Sequence, residues 1–365
     1  MNGVVTFGEI MARIAPSSYQ RLMQAMPGRM EITFAGAEAN VAAANALLGE
    51  KAKFVTVLPD HAVGDACLAS LRAVGIDTSA IKRKPGTRLG VYYVEHGANQ
   101  RPTTVVYDRS GSAIAECAPS EYEWDAYFDG EEWFHVTGIT PAVSRNAARA
   151  TIDAVQAAKK QGLTVSCDLN FRGKLWNWDS TKKKRELARE VMSSVLESVD
   201  VVVGNEEDAD DVLGIRAGGS DVARGSLDIE LYPDVAAQIG ERFPNVALVG
   251  ITLRESISAS HNRWGAMLYD LREGEAYFAP VDGEGRYSPH EIRNIVDRVG
   301  AGDAFCGALI YALRDPEMKG DRASTVSFAA AAGALCHSVP GDFNFSTKEE
   351  IASLASGVGS GRVKR

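Results

Sequence analysis

Thr164-Val165-Ser166-Cys167-Asp168-Leu169-Asn170-Phe171-Arg172 is the stretch from which the fold reads outward. A β-branched run, Thr164 to Asp168, follows an Ala/Val/Ile-rich helical pattern over about 142–161 and breaks into a polar turn ending on an arginine. The same rhythm recurs along the chain. Lys53-Phe54-Val55-Thr56-Val57-Leu58 reads as a strand before a helix from Gly64 to Val74. Val199 to Val203 follows a charged helix over 182–198, and Val246 to Thr252 follows a helix near 234–242. Helices near 302–314 and 323–337 close the pattern. Strands alternating with helices of this length build βαβ units, so the fold class is α/β, a mostly parallel sheet with helices on both faces.

Two regions break the rhythm. Segments of about 10–35 and 86–112 read as extended, for example Leu89-Gly90-Val91-Tyr92-Tyr93-Val94 and Thr103-Thr104-Val105-Val106-Tyr107, with no crossover helices. They predict a small antiparallel sheet that projects from the α/β body as a lid. The stretch 253–296, rich in Gly, Ser and turn residues, reads as loops with a hairpin. No repeat or Pro/Gly-rich linker divides the chain, so one domain over 1–365 is expected.

Composition narrows the function. Of 365 residues, 45% are apolar and 24% charged, which fits a globular protein and excludes disordered, collagen and coiled-coil classes. Lys and Arg total 39 against 48 Asp and Glu, a net charge of −9, so no general attraction for nucleic acid or anionic lipid is expected. The apolar runs are too short for a membrane span, and the chain enters the strand-like Val4-Val5-Thr6-Phe7 without a secretory leader. The five cysteines form no C-x-x-C pair, and His290-Glu291 has Asn294 where a zinc-binding H-E-x-x-H would need its second histidine. A reducing, cytoplasmic location is the expectation.

Nucleotide signatures decide the next step. G-x-x-x-x-G-K-[ST] and G-x-G-x-x-G are both absent, which weakens Walker-type and nicotinamide readings. Gly300-Ala301-Gly302-Asp303 instead leads straight into an apolar helix. Small residues there leave backbone N–H groups facing open space at a positive helix end, a place to hold a phosphate. Asp303 reads either as a general base or as a helix N-cap. Four further clusters stand out: Ala35-Gly36-Ala37-Glu38-Ala39-Asn40, Tyr107-Asp108-Arg109, Asp168 to Arg172, and Gly204-Asn205-Glu206-Glu207-Asp208. Two of these sit at strand ends, where open α/β sheets place ligands. Each also reads as a turn, a cap or a surface charge.

Taken in order, from Gly8-Glu9 to Gly341-Asp342, these marks resemble the ribokinase-like (PfkB) carbohydrate kinases. Within that family the chain is most similar to the 2-keto-3-deoxygluconate kinases. The resemblance implies a three-layer ribokinase-like domain with a β-sheet lid that pairs subunits into a homodimer or higher homo-oligomer. It implies ATP and Mg²⁺ as cofactors, with a monovalent cation left open, and a small sugar acid as substrate. Carried over to matching positions, Asp303 is the catalytic base. Gly300, Ala301 and Gly302 form the anion hole, and Arg172 lies between sugar and nucleotide. Gly36, Glu38, Asn40, Tyr92, Tyr107, Arg109, Asn170 and Asp342 face the substrate. Asn170, Asn205, Thr252, Arg254 and Gly265 face the nucleotide, and Glu206 and Asp208 hold magnesium through water.

Chemistry supports an acid independently, because arginine neutralises a carboxylate through two parallel hydrogen bonds. Arg109 and Arg172 fit that task, though each has a neighbouring carboxylate, Asp108 or Asp168, with which to pair. Three departures from the family pattern remain: Asp208 in place of a glutamate, Arg298 before the glycine turn, and the long Leu253–Trp264 segment. A neutral-sugar kinase of the same fold and a non-catalytic sugar-binding regulator are the alternatives.

Overall fold

The computed structural model describes residues 2–205, 207–215 and 229–358. Its strands are β1 (Val4–Phe7), β2 (Met11–Ala15), β3 (Glu31–Ala35), β4 (Ala52–Pro59), β5 (Ile81–Lys84), β6 (Gly90–Glu95) and β7 (Thr104–Asp108). They continue as β8 (Trp133–Thr137), β9 (Thr164–Asp168), β10 (Val201–Asn205), β11 (Leu248–Ser258), β12 (His261–Asp270), β13 (Glu275–Ala279) and β14 (His290–Ile292).

Ten of these make one sheet in the order β13-β12-β11-β10-β9-β8-β1-β4-β5, with β14 paired to β12. From β11 to β5 every neighbouring pair is parallel, and β12, β13 and β14 pair antiparallel. Alternation along each strand feeds two cores. Val202 points into the cluster packed by the helices Arg145–Lys160 and Lys184–Leu196. Val201 and Val203 point to the opposite side, beneath Ala301–Arg314 and Arg322–Cys336. Both faces are covered, which is why these strands read as nearly unbroken apolar runs.

The chain winds from β1 outward to β4 and β5, then returns to build β8, β9, β10 and β11 on the other side. The strand order therefore reverses beside β1, and a crevice opens there at the carboxyl ends. A second sheet of four strands, β3-β2-β6-β7, stands over that crevice. Here β2 and β6 run parallel while the outer pairs are antiparallel.

The stretch 253–296 departs from the expectation of loops with a hairpin. Most of it is strand: β11 runs on to Ser258, β12 returns from His261, and β13 and β14 follow. The outer part of β11 leaves the covered sheet, so its residues are mostly exposed and their polar composition imitates a loop.

Candidate active site

Residues from the carboxyl ends of β1, β8, β9, β10 and β11, together with the Gly300 turn and the small sheet, line one cavity of about 650 Å³. That volume suits a small-molecule site. Two polar turns at its floor are stapled together. After β9, Asn170 takes a left-handed backbone (φ 36°), a conformation asparagine tolerates better than most residues. Asp208 then accepts the Phe171 amide at 2.9 Å and the Asn205 amide at 3.0 Å. Asn205 in turn accepts the amides of Glu207 and Asp208 at 2.8 and 3.0 Å. Burial raises the Asp168 carboxyl well above the ordinary range, with the charges of Asp208 and Asp303 adding to it.

Gly300 opens the helix Ala301–Arg314 at φ 89°, and a Cβ there would lie 2.4 Å from the Asp342 carbonyl oxygen. Only glycine fits both constraints. Since Gly300 is the cap, Asp303 is not; it sits in the first turn, where amides lack intrahelical acceptors. Asn40 donates to Asp303 Oδ2 at 2.6 Å. Burial pushes the Asp303 carboxyl up to about 7, while Asn40 and the charge of Arg172 hold it lower than burial alone would. A carboxyl of this kind beside unpaired amides can take a proton where negative charge arrives.

The small sheet supplies the opposite wall. Tyr92 donates to Asp342 at 2.8 Å, and its ring lies 6.1 Å from that of Tyr107. Arg109 sits 5.7 Å from the Tyr107 ring and donates through Nε to Glu9 Oε2 at 2.7 Å, with Nη2 on the same oxygen. Arg109 therefore has a carboxylate partner, but not Asp108. Successive residues point to opposite sides of a strand, and Asp108 pairs with Arg88 instead. Arg172 makes no ion pair with Asp168; it is exposed on the cavity wall and donates to the Phe171 carbonyl at 3.3 Å.

Two expected contacts fall off the cavity. Glu38 and Asn40 are two helical positions apart, about 200° around the axis, so only one can face the site. Asn40 does. Glu38 turns inward, where Oε1 accepts from the Thr137 amide, Thr137 Oγ1 and Thr140 Oγ1. Gly265 pairs with Leu253 in the β11–β12 register, on the opposite face from Thr252 and Arg254, and packs toward Tyr287. Gly36, Tyr92, Tyr107, Asn170, Asn205, Thr252, Arg254, Ala301, Gly302 and Asp342 do line the cavity. Glu206 lies outside the described residues.

Two buried charges were given no role in the sequence reading. Glu9 lines the cavity, and its Oε1 has no hydrogen-bond partner among the described residues. Arg13 on β2 pairs with both Asp297 and Asp342, tying the small sheet to the two sides of the Gly300 turn. A lone arginine within Met11-Ala12-Arg13-Ile14-Ala15 was the available signal.

The cavity thus brings together a glycine turn with first-turn amides, a carboxyl near neutrality and a sheet over its mouth. The family model described as pfkB family carbohydrate kinase matches residues 1–230 and 272–349, and the chain belongs to that family. It is thus a phosphotransferase that acts on a carbohydrate. A solved 2-dehydro-3-deoxygluconokinase from Thermotoga maritima is 44% identical, with a TM-score of 0.86 over 97% of this chain and 98% of that one. A 2-dehydro-3-deoxygalactonokinase from Haloferax volcanii is 31% identical over 98% of both chains. The 2-dehydro-3-deoxygluconokinase of Bacillus subtilis is 26% identical over 96% of this chain and 95% of its own.

Proposed function

We propose that the protein transfers the γ-phosphoryl group of ATP to the terminal hydroxyl of a keto-deoxy sugar acid, 2-keto-3-deoxygluconate, giving its 6-phosphate. One observation carries this reading: Asp303, poised near neutrality, shares a cavity with the Gly300–Gly302 amides and with arginines. The relatives whose names specify this acid or its galacto epimer support the substrate class.

Asp303 Oδ2 is held by Asn40, so Oδ1 is the oxygen that receives the hydroxyl proton. The substrate oxygen forms its bond to the γ-phosphorus as the bond to the β–γ bridging oxygen breaks, and ADP leaves. Charge on the moving group falls on the first-turn amides and on Arg172. Magnesium, when bound, neutralises the β- and γ-phosphates. Asp208 suits a water-mediated contact with it, because each carboxylate oxygen already accepts a backbone amide. Glu9 Oε1, buried and without a hydrogen-bond partner among the described residues, accepts a hydrogen bond from a substrate hydroxyl. Tyr107 and Arg109 descend with the small sheet as a lid, which excludes water from the phosphoryl group.

The Glu9–Arg109 pair favours one rival. An arginine already neutralised by a carboxylate serves a neutral sugar as readily as an acid. ADP release with 2-keto-3-deoxygluconate, 2-keto-3-deoxygalactonate, fructose and ribose separates the two. The keto-deoxy acids should be preferred, and Arg172→Gln should raise KM for the acids above that for any neutral sugar. Preference for fructose or ribose would overturn the acid reading and leave the kinase standing.

A further inference from the structure

Arg13 has no task in the chemistry above. It sits midway along β2, in register with Thr33 on β3 and Tyr92 on β6, and is 3% exposed. The guanidinium leaves the small sheet and forks. Nη1 donates to Asp342 Oδ1 and Nη2 to Asp297 Oδ2, with His96 Nε2 3.4 Å from Nη2.

Both carboxylates belong to the scaffold of the glycine turn. Asp297 Oδ1 accepts the amides of Arg298 and Val299 at 2.8 and 3.2 Å, the two residues that lead into Gly300. Its Oδ2 also accepts the Gly341 amide at 3.1 Å, which ties the turn to the segment that carries Asp342. The Asp342 carbonyl packs against Gly300, and its Oδ2 accepts the Tyr92 hydroxyl at 2.8 Å. One guanidinium therefore joins the small sheet to both chain segments that set where the Gly300–Gly302 amides lie.

Stability alone is a poor reason for this triad. Three charges leave water, and a buried ion pair commonly gains no more than well-packed apolar side chains would. The sheet is also fastened elsewhere. Asn99, in the loop between β6 and β7, accepts the Ala259 amide at 2.8 Å and donates its own to Ser260 Oγ at 3.0 Å. What Arg13 adds is geometry, because a planar fork fixes two carboxylates in a way that a point charge does not. It also offsets one of two negative charges that would otherwise stand together behind a turn that receives an anion. Burial raises the Asp342 carboxyl, Arg13 opposes this, and the charge of Asp297 adds to it. We infer that Arg13 is a positioning residue for phosphoryl transfer, one that sets the Gly300 turn against the small sheet so that the first-turn amides and the inner face of the sheet keep one register. The inference rests on that turn and Asp303 as the transfer site, and not on which sugar accepts the group.

Two variants of the full chain test it. Arg13→Lys keeps the charge and loses the fork; Asp297→Asn keeps an acceptor for Arg298 and Val299 and loses the ion pair. Each should lower kcat roughly tenfold to a hundredfold, the scale of a small misplacement of reacting groups. ADP lacks the transferred group, so its affinity by calorimetry should stay within about twofold. The double variant should lose little more kcat than the worse single one, since the two side chains act as a unit. Hydrogen exchange read by mass spectrometry does not depend on turnover. Peptides covering 297–303 and 339–343 should exchange faster in both variants, with the helix Arg145–Lys160 unchanged. Turn peptides that exchange as in the wild type would overturn the inference, whatever the melting temperature does, and leave Arg13 a structural staple. A raised KM for the sugar at unchanged kcat would also overturn it, because Arg13 would then act on substrate binding alone. If the wild type phosphorylates neither the acids nor the neutral sugars and the turn still exchanges faster in the variants, the positioning role stands and the substrate reading falls.

Discussion

Asp303 shows how a residue's task depends on what surrounds it. On a surface this carboxyl would ionise near 3.8; inside the cavity burial pushes it to about 7. A base must be ionised to accept a proton, so kcat/KM should rise as pH climbs through about 7 and level off above it. Asp303→Asn should bind ATP nearly normally and lose roughly 10²–10⁴-fold in turnover, with no limb left near neutrality. Full turnover in that variant would leave Asp303 as a structural member of its helix. The sequence already pointed to this residue, because Gly300-Ala301-Gly302-Asp303 is contiguous and its chemistry is local. It also pointed to Arg172, at the end of an apolar strand. The partner of Arg109 was hidden because Glu9 lies 100 residues earlier, and adjacency made Asp108 look the better candidate. Pairs fixed by tertiary structure leave no local trace.

At the scale of elements, the start of the helix Ala301–Arg314 has two glycines, the cap Gly300 and Gly302 in the first turn, whose substitution should separate folding from catalysis. Gly300→Ala forces a side chain onto a left-handed backbone and into the Asp342 carbonyl, so a loss of about 1–3 kcal/mol in stability is expected. At Gly302 an added Cβ meets nothing within 4 Å, so Gly302→Ala should keep or gain stability, by at most about 1 kcal/mol. Its methyl group would nonetheless stand where the phosphoryl oxygens approach the amides, and turnover should fall. Thermal melts beside kcat measurements decide it, and undiminished kcat would move the phosphoryl group elsewhere. The helix Ala37–Leu47 carries a different signal. Glu38 is buried and pushed from 4.5 up to about 7, so the folded state holds its proton where the unfolded chain has lost it. Stability from this group is full below about 4.5 and is lost as pH rises through about 7. The loss is about 3 kcal/mol at most. Glu38→Gln keeps an acceptor for Thr137 and Thr140 without titrating, so urea unfolding at pH 5 and pH 8 should differ less than in the wild type. An identical pH dependence would place the titration elsewhere. The sequence exposed the polar pair Glu38 and Asn40; helical geometry decided which member faced the cavity. The β11–β12 hairpin was less legible because strand signals rest on alternating burial, and its outer half has little to bury.

At the scale of the whole molecule, the outer face of the small sheet is an apolar surface that the described residues do not cover. In the small sheet, Ile32 pairs with Ile14, Ile14 with Tyr93, and Tyr93 with Val106, so these four side chains form one row on one face. Arg13, Tyr92 and Tyr107 form the neighbouring row on the opposite face, toward the cavity. A sheet apolar on its outer side, with Ile32 62% and Val106 49% exposed, needs a partner if that face is to leave water. We propose a second copy of the chain, related by a two-fold axis that sets row against row. The sheet would then be held from behind by the partner while its inner face closes on the sugar. Sedimentation equilibrium should show a dimer, and Ile32→Glu should shift it to monomer, since a charge in a closed apolar interface is costly. The monomeric variant should bind ADP as the wild type does, because Ile32 lies on the outer face of the small sheet and does not line the cavity. Its KM for the acid should rise, since Tyr107 and Arg109 ride on the sheet that loses its support. A monomeric wild type would sink the pairing, and a dimer undisturbed by Ile32→Glu would move the interface to another face. If dimerisation is lost while KM holds steady, assembly and substrate binding are independent, and the sheet closes without a partner's help.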